Sequence, residues 1–154
     1  MKFIKTIIAS SMVLLSTANA FADTQTTKYL IFVENGKQAG EQIVQRDDQG
    51  LTKVRFIFKD NGRGPELNEE FRLSADGLIK EYKVTGNSTF GAVVNESYQR
   101  IGDQAEWKST SEQGKKTVSG SALYIPLNSS FAIGSLSITA LEKSADKRLA
   151  LLPS

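Results

Sequence analysis

The chain has 154 residues, 19 Lys+Arg against 17 Asp+Glu, and neither histidine nor cysteine. Those two absences exclude Ser-His-Asp catalysis, imidazole and thiolate metal sites, iron–sulfur clusters and any disulfide framework. Lys2 and Lys5 both belong to an N-terminal export signal, so the mature chain carries 17 charges of each sign and has no long-range pull on nucleic acid or anionic lipid.

The signal comes first in the chain. After the two lysines, Thr6 to Thr17 forms an apolar stretch too short to cross a bilayer, and "ANA" and "AFA" offer small-residue cleavage sites after Ala20 or Ala22. No second apolar run follows, and without cysteine there is no lipid-attachment site. The mature protein is therefore expected in an exported compartment, periplasmic or secreted, with no membrane span.

From residue 23 to 148 the pattern predicts one all-β domain. Short alternating or β-branched runs recur about every ten residues, each closed by a turn signal, which is the signature of an antiparallel meander. "KYLIFV" (28–33) leads into Asn35-Gly36, a hairpin signal because both residues tolerate positive φ. The runs 41–47 and 51–59 follow, the second with Val54, Phe56 and Phe58 on one face and Lys53, Arg55 and Ile57 on the other. Further strands are expected at 68–74, 78–86, 92–102, 105–112 and 116–127, with Gly120 marking a bulge or bend in the last. The sheet should be curved, forming a half-barrel or a sandwich.

The tail changes character. "SSFAIGSLSITALEKSAD" (129–146) spaces Phe131, Leu136, Ile138 and Leu141 as one helical face, with Ser129 or Ser130 to cap it. Such a short helix would cover the open side of the sheet. Leu149 to Leu152 is apolar again, and residues 149–154 are either a terminal edge strand or the start of a following domain.

Candidates for chemistry are few. The carboxylates Asp47, Asp48, Glu69, Glu70, Asp76, Asp103 and Glu112 fall at turns or on polar strand faces, and the adjacent Glu69 and Glu70 point to opposite faces and do not converge. No catalytic residue emerges. The loop "KDNGRGPEL" (59–67) presents Arg63 on flexible backbone, yet it lacks the length and lysine of a P-loop, and its Asn-Gly and Gly-Pro pairs account for it as a turn. Trp107, Phe56, Phe58, Phe71, Tyr82 and Tyr98 alternate along strands as core residues do, although an aromatic sheet face could also hold a small apolar ligand. Arg63, Trp107 and Tyr98 are the residues to watch for binding.

Four stretches, "NGKQAGEQIVQRDDQG", "VRFIFKDNGRGPELNEEFRLSADGLIKEYKVTGN", "NESYQRIGDQAEWKSTSEQG" and "SALYIPLN", together resemble the N-terminal β-rich region of large exported bacterial proteins of the amidohydrolase family. The "DNGRGPEL…LSADGL…TGN" run is the most specific part. The resemblance implies an accessory domain that precedes a metal-dependent hydrolase barrel, with "DKRLALLPS" as the join. It transfers no site residue. The family's divalent metal, such as zinc, is held by histidines, a carboxylated lysine and an aspartate, and no position here matches them. The cofactor would lie only in a catalytic domain outside this chain. The expected function is thus a non-catalytic accessory domain whose partner is its own or a cognate hydrolase domain. The alternative is a stand-alone periplasmic module that binds a small ligand on its aromatic face.

Overall fold

The computed structural model describes residues 24–153, so the export signal expected over residues 1–22 lies outside the described residues. Eight strands run as a continuous antiparallel meander: β1 (Gln25–Phe32), β2 (Gln38–Arg46), β3 (Thr52–Phe58), β4 (Glu66–Leu73), β5 (Ile79–Asn87), β6 (Val93–Ile101), β7 (Gln104–Lys108) and β8 (Gln113–Thr117). The sheet is open, since β1 and β8 each have one neighbour. A small second pairing follows, in which β9 (Ala122–Tyr124) lies parallel to β10 (Ala150–Leu152), with α1 (Phe131–Lys143) between them in sequence.

The alternation of the strands decides the faces. Cross-strand partners share a face, so the register writes rows across the sheet. One row runs Val44, Val54, Glu69, Val84, Glu96 from β2 to β6. The next runs Thr52, Phe71, Tyr82, Tyr98, Trp107, Gly114 from β3 to β8. These rows, with Phe56 and Leu67, form the core together with Tyr124, Ile133 and Leu152 from the covering segment. The opposite face is wet and carries charge ladders, among them Lys28–Glu41 at 2.8 Å and Lys53–Glu70 at 3.3 Å.

The turns follow their residues. At 60–63, Asn61 and Gly62 both take positive φ (51° and 77°), and the backbones of Asp60 and Arg63 exchange hydrogen bonds of 2.8 and 2.9 Å. This is the tight hairpin geometry that Asn-Gly favours. The expected strand 116–127 is in fact two elements. Gly120 sits at φ +86°, the chain leaves the large sheet there, and Arg100 holds the turn by donating to the carbonyls of Val118 (3.1 Å) and Gly120 (2.7 Å).

The helix forms where expected but is rotated about its axis. Ile133 and Ala140 are buried and Leu136 packs on the core, whereas Phe131, Ile138 and Leu141 are exposed at 60, 62 and 43%. The reason is a long-range tether. Ser130 precedes the helix but its side chain does not cap it. Instead its N–H and hydroxyl both donate to Glu69 on β4, each at 2.6 Å. The Ala132 N–H donates to Gln42 Oε1 at 3.2 Å. Side chains of the sheet thus satisfy the helix N-terminus and fix which stripe faces down.

Candidate functional site

Two polar clasps and one apolar groove occupy the covered face. The first clasp is Glu69, expected on a wet face but only 1% exposed. It accepts from Ser130 twice and from Tyr82 Oη at 3.1 Å, while Tyr82 Oη also lies 3.1 Å from the carbonyl of Asn128. The second is Glu96, 3% exposed, which accepts from Tyr124 Oη at 2.5 Å and from the Leu127 N–H at 3.2 and 3.1 Å. Burial pushes both carboxyls above the usual carboxylate range, against the opposing pull of their hydrogen-bond donors. Tyr82 and Tyr124 are raised in turn, first by burial and then by the carboxylate beside each.

A pair of buried glutamates invites a catalytic reading. In register they flank Val84, which puts their strands two spacings apart, roughly 9.6 Å. Paired acids of a glycosidase work across such distances, but across a cleft that admits substrate and water. Here both carboxyls are sealed and each is surrounded by donors. What they hold is the 124–130 segment, so they fasten the cover to the sheet. Among the described residues no group of three or more His, Cys, Asp or Glu could hold a metal ion.

The groove lies on the same face, between β1–β4 and the start of α1, with a volume of about 620 Å³. Tyr29, Ile31 and Val44 line it from the strands, Phe131 and Leu136 from the helix, and Arg46 and Thr52 close one end. Tyr29 is 52% and Phe131 60% exposed, a large apolar area left open to water. β1 contributes as much as α1 because its run Tyr29 to Val33 is apolar without alternation and it pairs on one side only.

The residues singled out from the sequence lie elsewhere. Arg63 is exposed at the tip of its hairpin, away from the other two in the chain's register. Tyr98 and Trp107 are direct cross-strand partners. Tyr98 is buried and stacks on Tyr124 at 4.1 Å and 9°, and its hydroxyl has no partner among the described residues. Trp107 covers Gly114, where any Cβ would meet the indole at 2.3 Å. Tyr98 and Trp107 both line a depression of about 630 Å³, together with Ser97, Gln99, Glu106, Lys108 and Lys115. Its polar groups already bind one another, with Gln99 and Lys115 both on Glu106 at 3.2 and 2.5 Å.

No protein-family model, curated protein or solved structure matches the chain. Nothing in these comparisons links it to amidohydrolase N-terminal domains.

Proposed function

We propose that this chain is an exported, non-catalytic binding module whose sheet and helix cradle the apolar part of a small molecule. The observation that carries this reading is the groove: apolar side chains converge on it from β1, β2 and α1, and among the described residues Tyr29 and Phe131 stay more than half exposed there. Its volume is in the range of small-molecule sites, which are mostly apolar with few polar groups. Burying each methylene of a ligand there would contribute about 0.8 kcal/mol. Titration with N-phenyl-1-naphthylamine, a neutral probe that brightens in apolar surroundings, tests it. Saturable one-to-one enhancement, lost in Ser135→Trp, supports the module. Enhancement that is absent, or unchanged in that variant, refutes it.

A second reading is an accessory domain docked on an amidohydrolase-like hydrolase domain. It is favoured by Ile125, Leu127 and Leu151, which are 40, 56 and 53% exposed on the covering segment. The intact mass of the native protein decides it. A mass several times that of this chain supports the accessory role, and a mass matching residues 23–154 or 21–154 counts against it.

A further inference from the structure

The lining of the groove contains one charged side chain, and it is a cation. Arg46 ends β2, in register with Thr52 on β3, which in turn pairs with Phe71 on β4. Its Nε–H donates to Thr52 Oγ1 at 3.1 Å, which anchors the guanidinium, and its two terminal amino groups make no hydrogen bond among the described residues. Arg46 makes no ion pair among the described residues, whereas Lys28, Lys53, Arg55, Lys59, Arg72, Arg100 and Lys115 all do. No carboxylate lines the groove to repel an anion. The planar fork of an arginine matches a carboxylate or phosphate bidentately.

From this juxtaposition, which rests on the groove being a binding site, we infer that the ligand is a single-chain anionic amphiphile. Its acidic head group meets Arg46 at the end of the groove, and its aliphatic chain lies along Tyr29, Ile31 and Val44 under Leu136. The space of about 620 Å³ amounts to roughly twenty water-sized volumes of ~30 Å³, room for one aliphatic chain of about a dozen carbons. A neutral apolar compound would leave the one cation at the end of the groove unused, and a cationic amphiphile would be repelled by it.

Calorimetric titration below the micellar limit, with dodecanoate, dodecanol, dodecyltrimethylammonium and acetate, tests the inference. Dodecanoate should bind about ten-fold tighter than dodecanol, a charge-assisted bidentate contact being worth at least that much. The cationic amphiphile should bind more weakly than the alcohol, and acetate, a head without a chain, not at all. The dodecanoate-to-dodecanol ratio should fall close to one in Arg46→Gln, recover in part in Arg46→Lys, and shrink with added salt. Lys83→Gln, on the opposite face, should leave it unchanged. Equal binding of acid and alcohol, or a ratio insensitive to Arg46, overturns the inference while leaving the groove intact as an apolar site. Absence of binding by all three amphiphiles overturns the groove reading itself. Sedimentation showing a stable dimer that amphiphiles do not dissociate assigns the apolar face to a second copy, and overturns both.

Discussion

The covered face of the sheet has two halves built from the same alternating strands. Over β4 to β6, every polar group of the glutamates has a partner, the tyrosines pack on one another, and the 124–130 segment closes the surface. Over β1 and its border with β2 the same face is only partly covered: Tyr29 and Phe32 are 52 and 56% exposed and the first turns of α1 lie along the rim, while Val54 and Phe56 on β3 are already buried. The difference lies in what sits above the strands. Where the chain returns and is fastened by buried carboxylates, the face is core. Where it does not return, the face is a groove.

Variants in the sealed half should cost stability. Glu69→Ala removes the acceptor for Ser130 and Tyr82 together and leaves buried donors unpaired, so urea unfolding should show a loss on the order of 3 kcal/mol. Glu69→Gln keeps an acceptor oxygen and should cost less. A loss below about 1 kcal/mol for the alanine variant would mean that the clasp does not hold the cover.

The two stacked tyrosines sharpen the contrast further. Tyr124→Phe takes a donor from buried Glu96 and should destabilise by about 1–2 kcal/mol. Tyr98→Phe removes a buried hydroxyl without a partner and should be neutral or stabilising in the same assay. Equal effects from both would contradict the assigned network.

The clasps also set a pH dependence. Burial holds the Glu69 and Glu96 carboxyls above the usual range, so the folded chain keeps these protons to higher pH than the unfolded chain does. Stability from this source is fully present below the unfolded value of about 4.3 and is lost as pH rises through the raised folded values. Glu41, Asp76 and Glu106 are lowered, chiefly by Lys28, Ser74 and Lys115 respectively, and their contribution is lost as pH falls below that range, a separate window. The urea midpoint should therefore decline on going from pH 5 toward neutrality, and the decline should be shallower in Glu69→Gln.

In the open half the expected stability effect is the smallest. Ser135 is exposed and lines the groove, so Ser135→Trp should change stability by no more than about 0.5 kcal/mol while obstructing probe binding at least ten-fold.

Much of the fold was legible because it is local. The Asn35-Gly36 and Asn61-Gly62 turns and the alternation of 52–58 belong to neighbours in sequence. The clasps left a fainter trace. Glu69 lies in phase with Leu67 and Phe71, and Glu96 with Val94 and Tyr98, so each glutamate interrupts an apolar face rather than joining the polar one. Read as members of charged runs, they pass for surface residues. The rotation of α1 could not be read from its own pattern, because Glu69 and Ser130, 61 residues apart, set it. The groove was hidden for the same reason. The apolar run Tyr29–Val33 is visible in the sequence, but whether a cover reaches it depends on where the tethered helix lands.

The most direct test of the central claim is a map of amide chemical-shift changes on adding dodecanoate to the labelled protein. The account predicts the largest changes at residues 29–32, 42–46 and 131–136, with little response around Tyr98 and Trp107. Changes clustered on the β6–β8 face, or none at saturating amphiphile, would contradict it.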